Sequence, residues 1–155
     1  MPFRKREPSQ QFEVVEELLT SWLRDRRTLV SRYTEIAVTA RNHRDGQSMD
    51  NLQRELCESL VDYVSAGHFE VYLGLLEEAE SFGDGSGALA QDIMPSIGDT
   101  TEFILAYEEK YTGDTGDTVN LERDLSALGE MLESRFTLED RLIAGLHYCH
   151  RRQLN

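Results

Sequence analysis

Cysteine and long apolar runs are scarce in this chain of 155 residues. Its two cysteines, Cys57 and Cys149, lie far apart and outside any CxxC pattern, which argues against a disulfide framework or a thiolate zinc site. No apolar run approaches the roughly 20 residues that a transmembrane helix needs. We therefore expect a protein of the reducing cytoplasm that has no membrane segment, with both cysteines buried as small hydrophobic residues.

Positive charge is also scarce, since 16 basic residues stand against 29 acidic ones and the net charge is −13. Residues 1–50 hold nine basic and eight acidic side chains, which leaves seven basic and twenty-one acidic for residues 51–155. Such a surface repels phosphate backbones, so direct binding of nucleic acid is not expected. A basic protein partner would complement it, although an acidic surface also serves solubility alone.

Helical periodicity is abundant. Apolar residues recur at three- and four-residue spacing over several segments, and no strand alternation of useful length appears. This pattern predicts an all-α fold: an antiparallel helical bundle with a four-helix core and short additional helices. Residues 1–10 are expected to form a basic amino-terminal tail, and residues 11–155 a single domain. Trp22 is expected in the core, while the basic face of the first helix could pair with acidic helices through Arg24, Arg26, Arg27 and Arg32.

Capping residues and breakers suggest where the helices begin and end. Asp50 with Gln53 resembles the start of a second helix, and Thr137 with Asp140 resembles a capping box at the start or restart of the last. Gly67 predicts a pause or a weakened turn, and Pro95 a kink. Connectors rich in glycine are expected at 82–87 and 112–118.

The sequence gives little support for a catalytic site or a metal-binding site. A di-iron bundle would need Glu-x-x-His pairs, which the sequence lacks. His147 and His150 share one helical face near the carboxyl end, but two imidazoles with no evident third ligand make a weak metal site. We interpret both as surface histidines, and we expect neither an enzyme nor a cofactor.

The segment from Leu60 to Tyr72 is unusual for a solvated helix. With Leu52, Leu56, Leu60 and Val64 as the buried stripe, a rotation of about 100° per residue places another set of side chains on the opposite side. That outer set comprises Glu58, Asp62, Ser65, Phe69 and Tyr72. A phenylalanine in such a position predicts a surface that another molecule covers.

The same segment resembles the signature of the Rsd/AlgQ family of bacterial regulators of the primary sigma factor. Residues 128–143 are similar to the family's carboxyl-terminal segment, and Trp22-Leu23 falls where its first long helix carries the same pair. The resemblance implies a bundle that binds region 4 of the primary sigma factor and blocks both its promoter −35 contact and its contact with core RNA polymerase.

The resemblance also implies a binding surface. Asp62 corresponds to the family's sigma-contacting aspartate, Ser65 and Phe69 match neighbouring positions, and Tyr63 and His68 are weaker candidates. RNA polymerase is a possible second partner, and the protein is expected to be a monomer. Two alternatives stay open: an adaptor for another regulatory protein, and a bundle that binds a metal or small ligand.

Overall fold

The computed structural model describes residues 6–42, 46–112 and 119–154, in which five α-helices and two shorter helical segments occur. Their order is α1 (Pro8–Arg41), α2 (Gly46–Ala66), a π-helical turn (Gly67–Val71), α3 (Tyr72–Phe82), α4 (Ala88–Thr112), α5 (Leu121–Leu146) and a carboxyl-terminal 3₁₀ helix (Tyr148–Leu154). These residues contain no β-strand, and the all-α prediction is confirmed. None of the described helices is long and apolar enough to cross a membrane.

The bundle has four antiparallel legs. Trp22 of α1 packs on Tyr63 of α2, while Tyr33 further along α1 donates a hydrogen bond to the Leu125 carbonyl of α5. Tyr107 of α4 donates to Gln53 of α2. Helix α4 runs antiparallel to α5, since Lys110 near its end bonds to Asp124 near the start of α5, while Thr100 earlier in α4 accepts from Arg135. The π-turn and α3 continue the second leg.

A single apolar core fills the space between the legs. Trp22 lies at its centre, 2% exposed, stacked on the ring of Tyr63 at a centroid distance of 4.7 Å and in edge contact with Tyr72 at 5.9 Å. Its indole nitrogen donates to the Tyr63 carbonyl at 3.1 Å, so no polar group of the tryptophan is left unpaired. The prediction of a core Trp22 is confirmed.

Helix starts differ from those that the capping pattern suggested. Helix α1 begins at Pro8, where the missing N–H costs nothing, and the Glu7 N–H donates to Gln10 Oε1 at 3.3 Å. Helix α2 begins at Gly46 and not at Asp50. The buried Met49, 7% exposed, anchors this first turn to the core, so packing extends the helix beyond the sequence signal.

The suggested restart near Thr137 is wrong, because α5 runs unbroken from Leu121 to Leu146. The Thr137 hydroxyl instead donates to the Glu133 carbonyl one turn earlier, a bond that satisfies a threonine inside a helix. Pro95 likewise lies inside α4. The break after α3 is confirmed, since Gly83 caps that helix with φ = 61°, a conformation that favours glycine.

Two predictions about burial also fail. His147 and His150 are fully buried, because acidic side chains of α1, α3 and the following loop surround them. Cys57 is buried as expected, but Cys149 is exposed on the 3₁₀ helix. Residues 113–118 of the connector predicted at 112–118, and residues 1–5 of the tail, lie outside the described residues.

Candidate protein-binding surface

The candidate site begins at the π-helical turn that joins α2 to α3. The chain does not reverse at Gly67, since Ala66 and Tyr72 on either side keep right-handed helical angles and the Tyr72 N–H donates to the Gly67 carbonyl. An alanine Cβ at position 67 would lie only 2.9 Å from Cζ2 of Trp22, so glycine lets the turn approach the indole. Gly67 therefore brings α2 and α3 into one continuous leg.

Asp62, Ser65 and Phe69 lie along the outer side of this leg, as the periodicity predicted. Asp62 is exposed, Ser65 is half-buried, and the Phe69 side chain is 69% exposed. The exposed His68 ring meets the Phe69 ring edge-on at a centroid distance of 4.8 Å. The structure thus brings four of the five candidate residues to one stretch of surface.

Tyr63 and Tyr72 lie on the inside of the leg. Tyr63 is 1% exposed and Tyr72 is 4% exposed, so neither ring is available for contact with a partner in this conformation. The outward placement of Tyr72 is wrong because a π-turn takes more residues than the 3.6 of an α-turn, so counting 100° per residue across Gly67–Val71 overshoots. Tyr63 follows the buried stripe of α2.

A groove of about 460 Å³ lies beside Phe69, between the second leg and α4. Its lining is mostly apolar, with Val64, Met94, Ile97 and Leu105 among the contributing side chains, and Ser65 and His68 at its edge. Leu105 is 43% exposed, and Leu73 and Leu76 on α3 are 52% and 39% exposed. Exposed large apolar side chains at a groove, here Phe69 and Leu105, are typical of a protein-binding surface.

An acidic depression of about 480 Å³ lies further along the same α2–α4 seam, toward the start of α2 and the end of α4. Asp62, Glu58 and Glu108 contribute carboxylates to it, against the single guanidinium of Arg54. We call the groove and the depression together the α2–α4 furrow. It combines an apolar half with an acidic half, which suits a partner helix that carries both apolar and basic side chains.

A buried polar network supports the furrow from below. Glu139 of α5 accepts hydrogen bonds from Tyr63 at 2.6 Å and from Tyr72 at 2.5 Å, and it pairs with the guanidiniums of Arg135 at 3.1 Å and Arg26 at 3.2 Å. Burial raises the pKa of Glu139, while Arg135 and the two tyrosine hydroxyls oppose that shift by stabilising the carboxylate.

Arg135 extends the network to the floor of the groove. It is fully buried and donates to Tyr72 at 3.0 Å, to Thr100 at 3.0 Å and to Thr101 at 2.7 Å, the last two on α4. Burial of a charge is tolerated only with partners of this kind. The sequence signal for this network was an Arg and a Glu four residues apart, which is common on exposed helices and does not reveal burial.

The basic face of α1 pairs with acidic helices only in part. Arg26 binds Glu139 and, at 2.7 Å, Asp140, whereas Arg32 donates to the Glu55 carbonyl at 3.2 Å. Arg24, Arg27 and Arg32 line a shallow depression with Glu35 and Glu55. Of the four arginines predicted to pair with acidic helices, only Arg26 therefore joins the buried network beneath the furrow.

An all-helical fold with an exposed furrow of this kind is typical of a protein-binding bundle. Comparison with known proteins gives its family: the sequence model described as Regulator of RNA polymerase sigma(70) subunit, Rsd/AlgQ, matches residues 4–147. The chain therefore belongs to the Rsd/AlgQ family, and the resemblance seen in the sequence is confirmed.

Relatives from several bacteria have similar sequences. A Regulator of sigma D from Yersinia enterocolitica is 31% identical over 131 residues, which cover 82% of this chain and 78% of that protein. The Regulator of sigma D from Yersinia pseudotuberculosis is 33% identical over the same shares, and that from Pectobacterium atrosepticum is 31% identical over 81% of this chain and 85% of its own. No solved structure gives a significant match.

Proposed function

We propose that this protein is an anti-sigma regulator that binds region 4 of the primary sigma factor through the α2–α4 furrow. The observation that carries the proposal is Phe69, which stands 69% exposed beside an apolar groove and on the same leg as the exposed carboxylate of Asp62. Membership of a family of sigma(70) regulators supports the choice of partner. Such a partner places the protein in the cytoplasm.

The mechanism is stoichiometric binding without catalysis. Region 4 is a helix-turn-helix module, and the face of such a module that meets DNA carries basic side chains. Asp62 pairs with one of these basic side chains. Phe69 and the groove beside it contact apolar side chains of region 4. Occupation of that face blocks the promoter −35 contact, and the same binding blocks the contact with core RNA polymerase.

Quantitative binding of isolated region 4 tests the proposal. We expect Asp62→Ala to lower the affinity roughly 30-fold or more, because truncating one partner of a desolvated charge pair costs about 2–5 kcal/mol. Phe69→Ala should weaken binding by a similar factor, since a large aromatic anchor at an interface contributes about 2 kcal/mol or more. Isothermal titration calorimetry would measure both.

Matched controls lie on α1, away from the furrow. Asp25→Ala removes an exposed carboxylate and Val38→Ala an apolar side chain that is 51% exposed, and both variants should bind like the unmutated protein. Absence of binding by the unmutated protein, or equal losses in the control variants, would refute the proposed surface.

Competition separates this proposal from an adaptor role. An anti-sigma regulator that covers the DNA-reading face should prevent region 4 from binding a −35 duplex, with an inhibition that follows one-to-one complex formation. An adaptor would leave region 4 free to bind DNA while it holds another protein. A ternary complex of this protein, region 4 and DNA would favour the adaptor.

A further inference from the structure

A second cluster of chemically reactive side chains lies where the carboxyl-terminal 3₁₀ helix packs against α3 and the α3–α4 loop. Glu78 of α3, fully buried, bonds to Nδ1 of His147 and to Nδ1 of His150, both at 2.5 Å. Nε2 of His147 meets Glu16 at 2.8 Å, and Nε2 of His150 meets Asp84 at 3.0 Å. Neither histidine takes part in the furrow.

The protons of the two imidazoles can be assigned from their partners, because an ionised carboxylate can only accept. His147 has a carboxylate at each nitrogen, so it carries two protons and a positive charge. His150 donates its Nδ1 proton to Glu78, which points Nε2 toward Asp84 and the Ser86 hydroxyl, 3.3 Å away. Nε2 of His150 and the Asp84 carboxylate, 3.0 Å apart, are both metal-ligating groups, and a metal ion between them would take the place of a proton on Nε2.

Cys149 supplies a third donor at the same place. Its Sγ, Nε2 of His150 and a carboxylate oxygen of Asp84 lie within 4.8 Å of one another. Bond lengths of about 2.0–2.3 Å put the donor atoms of a tetrahedral zinc site roughly 3.3–3.8 Å apart. The Cys149 thiol is exposed and donates to the Gly145 carbonyl at 2.9 Å, a bond that it would give up on binding a metal ion as a thiolate.

We propose that Asp84, Cys149 and His150 form a site for a zinc-like transition metal ion that fastens the carboxyl-terminal 3₁₀ helix to the α3–α4 loop. The nitrogen, sulfur and oxygen donors favour Zn²⁺ over Ca²⁺ or Mg²⁺, which take oxygen ligands. Glu78 acts on the ligand His150 by holding its Nδ1 proton, the arrangement that orients metal-bound histidines in proteins. Asp84 remains partly exposed, which leaves a path for the ion.

The charges around the site favour a cation. With a metal ion in place of the Nε2 proton of His150, Glu16, Glu78 and Asp84 contribute three negative charges around it, whereas His147 and the nearby Arg151, 3.7 Å from Glu16, contribute two positive ones. Metal binding displaces the thiol proton of Cys149 to solvent and forms a metal–sulfur bond, with no change of oxidation state. Cys149 and His150 follow residue 147, where the match to the family ends, so the site concerns the extension of this chain beyond that match.

Cobalt and zinc titrations of tag-free, chelator-treated protein test the proposal. Co²⁺ should bind with a stoichiometry of one and give the near-ultraviolet charge-transfer band of a cobalt–thiolate bond. Zn²⁺ should displace the bound Co²⁺. It should also raise the melting temperature of the protein, because a ligand that binds only the folded state stabilises that state. Cys149→Ser should abolish the band, and Asp84→Asn should lower the zinc affinity at least about tenfold.

Cys57→Ala provides the matched control, since that thiol is buried in the core and should leave the band intact. Circular dichroism of each variant verifies the fold, and the exposed position of Cys149 makes its substitution a mild one. No stoichiometric binding, or zinc binding that is the same in Cys149→Ser and Asp84→Asn as in the unmutated protein, would overturn the proposal. The contact between His150 and Asp84 would then be an ordinary ion pair.

Discussion

At the scale of single residues, one buried carboxylate decides which aromatic side chains of the second leg point inward. Glu139 offers its two oxygens to Tyr63 and Tyr72, on either side of the π-turn. Those bonds compensate for burying the phenol groups, which would otherwise lose their hydrogen bonds to water. Phe69 has no polar group to satisfy, and it remains on the outside, beside the groove.

Removing the charge of Glu139 should be costly. Glu139→Gln leaves the guanidiniums of Arg135 and Arg26 without their shared anion, and breaking a buried ion pair in this way typically costs about 3–5 kcal/mol. The matched control is Asp140→Asn, which removes the exposed partner of the same Arg26 and should cost under about 1 kcal/mol. Urea denaturation measures both, and equal losses in the two variants would contradict a structural role for the network.

At the scale of elements, the π-turn shapes the furrow. Gly67 allows the backbone to approach Trp22, and the extra residue in the turn sets the direction of the side chains that follow. π-Turns inside helices occur often at functional sites, which agrees with the position of Phe69 in this one. The furrow therefore depends on one turn of backbone as much as on the side chains that line it.

Two glycine substitutions separate packing from helix propensity. Alanine normally stabilises a helix interior by about 1 kcal/mol relative to glycine. Gly98→Ala on α4 should show this gain, because no atom lies within 4 Å of the added Cβ. Gly67→Ala should instead destabilise the protein by about 1–3 kcal/mol, since the Cβ must displace Trp22 in a filled core. Thermal melts compare the pair, and a stabilised Gly67→Ala would show that the close approach is not required.

The contact between the end of α4 and the start of α5 predicts that the stability of the folded protein falls in acid. Burial raises the pKa of Asp124, but hydrogen bonds from Lys110 at 2.7 Å and Tyr111 at 2.5 Å outweigh it, and the net shift is downward from 3.8. A carboxyl group with a lowered pKa stabilises the folded state above its ordinary pKa and loses that contribution as the pH falls through the lowered value.

Asp124→Asn should therefore reduce the free energy of unfolding at neutral pH and flatten its decline below about pH 4. Denaturation curves collected from pH 7 to pH 2 measure the slope for both proteins. A parallel decline in the variant would indicate that other carboxyl groups carry the acid sensitivity at this end of the bundle.

At the scale of the whole molecule, net charge and bundle architecture should affect different rates of partner binding, the association rate and the dissociation rate. In the proposed complex, a net charge of −13 should raise the rate of encounter with a basic partner, whereas the apolar half of the furrow should set how long the complex lasts. The bundle itself holds the two halves in a fixed relation, because α2 and α4 pack along their length. Salt should therefore change mainly the association rate, and a mutation in the groove mainly the dissociation rate.

Raising the salt from about 0.05 to 0.5 M should slow the association with region 4 by tenfold or more, since the Debye length falls below the range of long-distance attraction. Phe69→Ala should change the dissociation rate and leave this salt dependence intact. Surface plasmon resonance separates the two rates. An association rate that does not depend on salt would argue against electrostatic steering.

The sequence by itself determined the all-α class, the core position of Trp22 and the outward direction of Asp62, Ser65 and Phe69, because helical periodicity records which side of a helix is buried. Tertiary structure decided the direction of Tyr72, the unbroken course of α5 and the burial of Glu139, His147 and His150. Local patterns cannot reveal these features, since a π-turn changes the period without a unique signal. A polar residue is buried only when distant helices bring it partners.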